Sequence, residues 1–309
     1  MTSSASWPKT RLKSMATLRP TMSKPRIKPK LPAASATAAE RVQKVLARLG
    51  LGSRREIETW IRAGRVACNG VTLTLGARVS LGQDVTLDGR TIKLKATRPA
   101  APRVWLLNKP AGTVCTRRDP EGRPTVYALL PSAERRQFVA VGRLDFNTTG
   151  LLLFTDDGDL AHRLMHPRFR VPREYAVRIF GEVPPDALAR MVAGVTLEGE
   201  HLAFEAVARH SGGGTNEWYT CRLRTGRNRE VRRLWEVVGC TVSRLIRTGF
   251  GNLQLARRLP AGQYREATPA ELATLYALVD LKPASTAPES APPRLTRTRA
   301  QRARLLHAD

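Results

Sequence analysis

The sequence lacks any long hydrophobic run. Its apolar stretches, such as LLLF at 151–154, are at most five residues long, far short of the ~20 consecutive apolar residues that span a bilayer. A run of this length between polar residues is typical of a buried strand. We therefore expect a protein that does not enter a membrane.

Cysteine is scarce, and the few cysteines are poorly placed for shared chemistry. Cys68, Cys115, Cys221 and Cys240 lie far apart, and no C-x-x-C pair occurs. This spacing suggests neither a zinc site nor a disulfide framework. The sequence also has no G-x-G-x-x-G and no Walker lysine motif, so nothing points to a nucleotide cofactor. We expect a cytoplasmic protein that uses no metal and no cofactor.

Acidic residues are too few to balance the basic ones. The chain of 309 residues has 52 Lys and Arg against 26 Asp and Glu, a formal net charge of +26. Such an excess favours a polyanionic partner, and nucleic acid is the commonest one. The 42% of hydrophobic residues is enough for a buried core, and the length suggests about two domains.

Both ends of the chain have the composition of disordered segments. Residues 1–39 contain no acid, eight Lys or Arg and five prolines, and cannot bury enough surface to offset the entropy of ordering. We predict a disordered basic tail that contacts RNA. Its composition also resembles an organellar transit peptide, but the prolines would break an amphipathic helix. Residues 281–309 repeat the pattern and predict a second basic tail.

The segment 40–95 carries the signals of a small helical and stranded module. The stretch ERVQKVLARLG has its apolar residues on one helical face. Ser53 can begin a second helix, because Glu56 stands where it completes a capping box. Asn69-Gly70 and Asp88-Gly89 are dipeptides favoured in tight hairpin turns. The module is predicted to be two helices followed by a small sheet.

A second domain, 103–280, is predicted after a basic, proline-bearing linker at 95–103. Its patterns alternate between strands and short helices, in the order RVWLLNKP, FVAVG, LLLFT, LAHRLM, REYAVRIFG, LAFEAVARH, EWYTCRLR, REVRRLWEVVG and SRLIRTGFG. Hairpin-linked strands with inserted helices favour a mixed, largely antiparallel α+β sheet. Three aspartates, 156, 157 and 159, predict a turn and helix cap, because the spacing of a calcium loop is missing.

Asp145 stands in a charged stretch between two apolar runs, in VAVGRLDFNTTGLLLFT. Because both runs look buried, we expect the loop 143–150 to emerge at a sheet edge, where functional groups often lie. This makes Asp145 available for chemistry. A turn aspartate with an Asx-type bond near Asn147 and Gly150 is the alternative.

Several long motifs, in order, carry a family resemblance. LLNKPAGTVCTRRDPEGRPTV, VGRLDFNTTGLLLFTDDGDLAHRLMHP, REYAVRIFG and GRNREVRRLWEVVGCTVSRLIR closely resemble the RsuA/RluB branch of the pseudouridine synthases. GSRREIETWIRAGRVACNG resembles an S4-type RNA-binding domain. Together the resemblance spans about residues 40–270. It implies an α+β protein with a small N-terminal S4-type domain followed by a pseudouridine synthase domain with a mixed, largely antiparallel sheet.

The resemblance also implies an activity. This family isomerises uridine within RNA by breaking the N-glycosidic bond, turning the detached uracil and rejoining it through carbon 5, without metal or cofactor. The expected substrate is ribosomal RNA, 23S (large-subunit) rRNA in particular, and we expect the protein to act as a monomer on this RNA or on a pre-ribosomal particle.

Three catalytic residues are implied by the same motifs. Asp145 matches the essential aspartate that engages the target nucleotide. Tyr175 matches the tyrosine that stacks on the uracil, although its strand pattern also fits a core tyrosine with a bonded hydroxyl. Arg232 matches the basic residue that pairs with the aspartate, although a solvated helix arginine is the alternative. A carboxylate suits the task because covalent capture of the sugar or base divides one difficult bond cleavage into easier steps.

The expected RNA contacts are basic. Arg143 matches the family arginine that contacts the extruded nucleotide or fills its gap. The other expected contacts, each of which also fits mere surface charge, are Arg54, Arg55, Lys109, Arg117, Arg118 and Arg123.

Two other protein classes fit part of the sequence. A non-catalytic RNA-binding ribosome-assembly factor would share the charge and the S4-type module, but would not need Asp145, Tyr175 and Arg232 together. A DNA-binding architectural protein would explain the charge, but the sequence has no recognition-helix pattern and no zinc ligands. The enzyme is the interpretation that uses all of the motifs.

Overall fold

The computed structural model of the protein describes residues 39–80, 82–94, 102–132, 134–210 and 216–282. The predicted tails and the predicted linker lie outside these ranges, apart from one or two residues at their inner ends. Within the described ranges, no helix is both long enough and apolar enough to cross a membrane.

The N-terminal part contains two short helices and six short strands. They are β1 (Glu40–Arg41), α1 (Val42–Arg48), α2 (Arg54–Arg62), β2 (Val66–Cys68), β3 (Val71–Thr72), β4 (Arg78–Val79), β5 (Asp84–Leu87) and β6 (Arg90–Lys93). Strands β3, β2, β5 and β6 form one antiparallel sheet in that order, and β1 pairs with β4.

Local sequence signals account for this module. The Ser53 hydroxyl accepts the Glu56 N–H and the Glu56 carboxylate accepts the Ser53 N–H, both at 3.2 Å, which confirms the predicted capping box. Asn69 and Asp88 have φ of 49° and 50°, the left-handed values that two-residue hairpin turns require. The first helix begins at Val42 rather than at Glu40, because Glu40 pairs with Val79 in a strand.

The remainder of the described chain contains eleven strands and four helices. They are β7 (Val104–Lys109), β8 (Val139–Val141), β9 (Thr148–Thr155), α3 (Gly158–Met165), β10 (Arg173–Phe180), α4 (Ala187–Ala193), β11 (Val195–Leu197), β12 (Glu200–Leu202), β13 (Ala206–Arg209), β14 (Asn216–Leu223), α5 (Glu230–Val237), β15 (Thr241–Phe250), β16 (Leu253–Gln254), β17 (Tyr264–Glu266) and α6 (Pro269–Leu278).

Nine of these strands form one sheet, and a hydrophobic core packs on each of its two faces. The main order is β13-β14-β10-β15-β9-β7-β17, with β8 also on β9 and β16 also on β15. One core covers the face that carries Leu107, Leu152 and Val177, and the other covers the face that carries Leu106 and Leu153. Strands β7 and β9 are therefore buried on both faces, which explains the continuous apolar run at 151–154.

The aspartates after β9 have the structural roles that their spacing predicts. Asp157 begins α3, and its carboxylate accepts the N–H groups of Asp159 and Leu160 at 2.8 and 3.1 Å. The Asp156 carboxylate accepts the Arg103 N–H at 2.8 Å. This confirms the predicted turn and helix cap.

The sheet is antiparallel except at one place, where β15 runs parallel to β9. Leu245, Ile246 and Arg247 pair with Thr148, Thr149 and Gly150. The first half of β9 is thus bonded to β15, and the second half is bonded on the same edge to β8.

The loop that carries Asp145 lies where β8 ends and β15 begins. The prediction of a loop 143–150 at a sheet edge is therefore wrong in two respects: Thr148 already belongs to β9, and the loop lies in the middle of the sheet order. The strand β15, which pairs with β9 beside this loop, lies about 100 residues later in the sequence. No local pattern near Asp145 predicts this pairing.

Gly150 makes the parallel pairing possible. Its φ is +100°, and a Cβ at this position would lie 2.3 Å from the Arg247 carbonyl oxygen. Any side chain here would force β9 and β15 apart.

We predict that Gly150→Ala lowers the free energy of unfolding by about 2–5 kcal/mol, from backbone strain and overpacking together. The matched control is Gly262→Ala, because Gly262 has φ of +80° but no atom within 4 Å of the point where a Cβ would lie. The control should lose only the backbone term, roughly 1–2 kcal/mol. Denaturant unfolding of both variants tests this, and equal losses would contradict the steric argument.

Candidate active site

A cross-strand row of side chains crosses the middle of the sheet. In the register, Tyr175 of β10 pairs with Arg247 of β15, Arg247 pairs with Gly150 of β9, and Gly150 pairs with Lys109 of β7. Residues directly opposite one another point to the same face of a sheet. The row spans four strands, and with strands ~4.8 Å apart, the backbones of Tyr175 and Gly150 are roughly 10 Å apart.

Asp145 lies in a tight turn directly before this row. Its carbonyl oxygen accepts the Thr148 N–H at 3.1 Å, so the turn is closed by the backbone. The residue is half-buried. Its carboxylate has neither a hydrogen bond nor an ion pair with the residues that the structure describes, so the Asx-type bond of the alternative interpretation does not form.

Lys109 holds this turn through hydrogen bonds from its ammonium to main-chain carbonyls. It is fully buried, and its Nζ donates to the carbonyl oxygens of Pro110 at 3.1 Å, Phe146 at 3.3 Å and Thr148 at 2.8 Å. Burial lowers the pKa of Lys109, while the nearby Cys115 and Asp145 act in the opposite direction. The prediction that Lys109 contacts RNA phosphate is wrong, because all three ammonium hydrogens face protein carbonyls.

Cys115 supports the turn from its other side. The Leu144 N–H, one residue before Asp145, points at the Cys115 sulfur at 3.4 Å. Burial raises the pKa of this thiol, against the lowering effects of that N–H and of nearby basic side chains. The thiol is therefore kept neutral and serves as a weak acceptor for the loop backbone.

Tyr175 lies in the main core but reaches its surface. Tyr175, Val177 and Ile179 share one face of β10, as predicted, and are 8%, 0% and 0% exposed. The Tyr175 hydroxyl has no partner among the described residues, yet it is not one of the fully enclosed unpaired polar atoms. Within the described residues, Tyr175 therefore differs from a core tyrosine with a bonded hydroxyl.

Arg232 lies near Asp145 without touching it. It is half-buried on α5, and its Nη1 donates to the Val242 carbonyl at 3.0 Å. Burial lowers its pKa, as does Arg229, whereas the charges of Asp145 and Glu236 raise it. The expected direct pair between Arg232 and Asp145 is absent from the described residues. Their charges interact at longer range, because the guanidinium is held by β15.

The arginines expected to contact RNA differ in availability: some are exposed without an ion pair among the described residues, and others are bonded to protein groups. Arg143 and Arg118 are exposed, and neither makes an ion pair within the described part of the chain. The Arg117 guanidinium instead donates to the carbonyls of Arg135 and Phe138 at 2.7 and 2.5 Å. Its prediction as a phosphate contact needs correction, because these bonds use the guanidinium to hold a loop.

Arg123 is also less available than the sequence suggests. Its guanidinium pairs with Asp119 at 2.9 Å and with Glu121 at 2.8 Å. Two carboxylates therefore neutralise a side chain that was expected to contact phosphate.

Arg54 and Arg55 are exposed at the start of α2 and form no ion pair among the described residues. Two neighbouring arginines differ: Arg65 pairs with Asp88 at 2.6 Å, and Arg62 pairs with Glu58 at 3.9 Å. Within the described module, Arg54 and Arg55 thus place two unpaired positive charges at the first turn of α2.

Two basic side chains near the row, Arg173 and Arg247, are not predicted from the sequence. Their guanidinium carbons both lie 5.2 Å from the centre of the Phe250 ring. Arg247 is 2% exposed, donates from Nε to the Leu151 carbonyl at 2.6 Å, and has an unpaired, enclosed Nη2. Only the strand register could have revealed that Arg247 lies beside Tyr175.

The arrangement offers defined chemistry. The Asp145 carboxylate has no protein partner in the described ranges and lies near the positive side chains of Lys109 and Arg232. It can therefore capture an electron-poor carbon, while a neighbouring tyrosine ring can stack on a planar base. The described residues contain no group of three His, Cys, Asp or Glu side chains suited to a metal ion.

Comparison with known proteins defines the class. The family model described as RNA pseudouridylate synthase matches residues 103–236, and the S4 domain model matches residues 40–94. A crystal structure of a pseudouridylate synthase is similar with a TM-score of 0.54 and 27% identity, over 76% of this chain and 99% of that chain.

The sequence relatives are more specific. A Salmonella typhimurium protein named ribosomal large subunit pseudouridine synthase B is 51% identical over 247 residues, which cover 79% of this chain and 85% of that protein. A Pseudomonas aeruginosa protein of the same name is 51% identical over 245 residues, and the match spans 64% of its length. The chain belongs to the RNA pseudouridylate synthase family. Within that family it is similar to proteins named ribosomal large subunit pseudouridine synthase B.

We predict that Lys109→Met lowers the single-turnover rate of pseudouridine formation by about 100-fold, because a displacement of the catalytic group by ~1 Å has an effect of this size. RNA affinity should stay within about threefold, since Lys109 is fully buried. The matched control, Arg118→Met, removes an exposed charge nearby and should weaken binding while leaving the rate at saturating RNA unchanged. Weaker binding with a normal rate in Lys109→Met would contradict the buried role.

Proposed function

We propose that this protein converts specific uridines to pseudouridine in large-subunit ribosomal RNA, with Asp145 as the catalytic group. The observation that carries the proposal is the half-buried Asp145 carboxylate without a protein partner, on a turn held by buried Lys109. A carboxylate that has no protein partner and stands on a rigidly held turn is suited to bind a ligand.

The chemistry assigns a role to each member of the site. Uridine and pseudouridine are isomers, so the reaction adds no group and needs no net oxidant or reductant. The Asp145 carboxylate engages the target nucleotide and divides the glycosidic cleavage into easier steps. The Tyr175 ring stacks on the uracil and retains it while it turns, and its hydroxyl, unpartnered among the described residues, is available for proton transfer.

Positive charge lies near the Asp145 carboxylate. Arg232 acts through space, consistent with the effect of Asp145 on its pKa. Its position on α5 also leaves the guanidinium within reach of bound RNA. Arg143, exposed next to the turn, contacts the backbone of the extruded nucleotide or fills the gap that it leaves.

The two parts of the chain divide the work in this proposal. Residues 40–95 dock on structured RNA, and residues 103–280 carry the chemistry. Lys44 of the first part pairs with Asp159 of the second at 2.7 Å, which supports a defined arrangement of the two. The protein acts as a monomer in the cytoplasm, where ribosomal RNA is modified.

A non-catalytic ribosome-assembly factor remains the competing function. It would account for the charge and for the exposed arginines of α2. It gives no reason for a carboxylate held free beside Lys109, Tyr175 and Arg232. Binding of ribosomal RNA by the wild-type protein without pseudouridine formation would favour it.

We predict that Asp145→Asn abolishes pseudouridine formation and changes RNA affinity by no more than a few-fold, because it removes one charge from a strongly basic protein and keeps the side-chain shape. Chemical mapping of pseudouridine in ribosomal RNA, with a separate binding assay, measures both. Asp186→Asn is the control, since this exposed aspartate begins α4 away from the row. Normal activity in Asp145→Asn would overturn the mechanism.

We also predict that Arg54→Gln/Arg55→Gln weakens RNA binding and flattens its dependence on salt. Each lost phosphate contact reduces the slope of log affinity against log salt by about 0.7–0.9, so the double variant should change it by roughly 1.5. The rate at saturating RNA should be unchanged. Arg62→Gln/Arg65→Gln, whose arginines have acidic partners, should change the slope less. Equal slopes in wild type and the first variant would remove α2 from the RNA interface.

A further inference from the structure

Phe146 is a feature of the turn that the proposed function leaves unused. It directly follows Asp145 and is 42% exposed. Single exposed apolar side chains are common and by themselves indicate nothing. The position distinguishes this one, because consecutive Cα atoms are ~3.8 Å apart. The Phe146 backbone therefore lies directly beside any nucleotide that reaches Asp145.

The backbone of Phe146 is rigidly held. Its carbonyl oxygen accepts the Gly112 N–H at 3.0 Å and the Lys109 ammonium at 3.3 Å. The turn that contains it is closed between Asp145 and Thr148. Because the backbone is already ordered, a ligand that contacts the ring needs to restrict only the side-chain torsions, which lowers the entropic cost of binding.

The ring has no partner in the described part of the protein. It lies over Gly112, where a Cβ would be 4.0 Å from the ring's ζ carbon. It forms no aromatic pair and lies under no cation among the described residues, whereas Phe138, Phe154, Phe169 and Phe250 each do. Among the described residues near the candidate site, the Phe146 ring is therefore free to stack on a ligand.

We propose that Phe146 is a stacking site for the nucleobase next to the target uridine. The proposal rests on the proposed function, in which the target nucleotide is extruded to Asp145. Extrusion uncovers one face of the adjacent base, and a neighbouring aromatic ring can cover that face. Every base has a π face, so this site supplies affinity and placement and does not read the sequence.

The charge around the ring fits the same ligand. Arg143, on the other side of Asp145, is exposed and makes no ion pair within the described residues. An exposed cation and an exposed aromatic ring on either side of one carboxylate match the two parts of single-stranded RNA, its phosphates and its bases. In this proposal Arg143 contacts a phosphate, Asp145 the target nucleotide and Phe146 the adjacent base.

The test uses full-length protein and an RNA hairpin that contains the mapped target uridine. Phe146→Leu keeps an apolar side chain and removes the ring, and should weaken RNA binding by about 5- to 100-fold, the range of one lost base–aromatic stack. The single-turnover rate at saturating RNA should change less than about threefold. Phe146→Tyr and Phe146→Trp keep a ring and should bind within about threefold of wild type. Phe180→Leu, at an exposed phenylalanine (62%) at the end of β10, is the matched control and should bind normally.

A second RNA identifies the partner of the ring. In this hairpin, the nucleotide next to the target uridine lacks its base. Wild type and Phe146→Leu should bind this RNA equally, because the stack is already lost. Unchanged binding of Phe146→Leu to the intact hairpin, or an equal loss on both RNAs, would overturn the proposal.

Failure of the proposed function would look different from failure of the stacking site. Binding of both hairpins is therefore also measured in the Asp145→Asn background, which needs no turnover. If wild type forms no pseudouridine, the function is wrong whatever the affinities are. If wild type is active and Phe146→Leu binds the intact hairpin as tightly as wild type does, the stacking site alone is wrong.

Discussion

The parallel pairing of β9 with β15 is the constraint on which the site depends. In an otherwise antiparallel sheet, it brings residues 245–247 against residues 148–150, next to the turn of Asp145. Gly150 is the element that allows this approach, because a Cβ there would collide with the Arg247 backbone. The pairing places Tyr175 and Lys109 in the same row across the sheet. Without it, Asp145 would lie at an open hairpin end, without Tyr175 and Arg247 as neighbours.

Electrostatics at the site follow from burial. Lys109 and Arg247 are almost completely buried, and neither has an acidic hydrogen-bond partner in the described ranges. Buried cations usually need such partners, and here main-chain carbonyls supply part of the compensation. This leaves the Asp145 carboxylate free of direct ion pairs while positive charge surrounds it. A carboxylate without a direct protein partner is available to a ligand, as nucleophilic chemistry requires.

Much of the architecture follows from local signals in the sequence. The capping box at Ser53, the hairpin turns at Asn69 and Asp88, and the aspartate cap of α3 were predictable, because each depends on residues within a few positions of one another. The alternation within REYAVRIFG likewise placed Tyr175 on the buried face of its strand. The order of motifs was enough to indicate the family. None of these inferences required knowledge of contacts distant in sequence.

The sequence by itself determined the elements, the basic charge and the family motifs. The tertiary structure alone decided which basic residues are free. Lys109, Arg117, Arg118 and Arg123 look alike in the sequence, yet one is buried under the turn, one holds loop carbonyls, one is exposed and one is neutralised by two acids. The identity of a side chain is local information, whereas the burial of Lys109 and the partners of Lys109 and Arg117 depend mainly on segments about 20 to 40 residues away. The same reason kept Arg247 out of the predicted site, since its neighbours Tyr175 and Gly150 meet it only when β10, β15 and β9 pair.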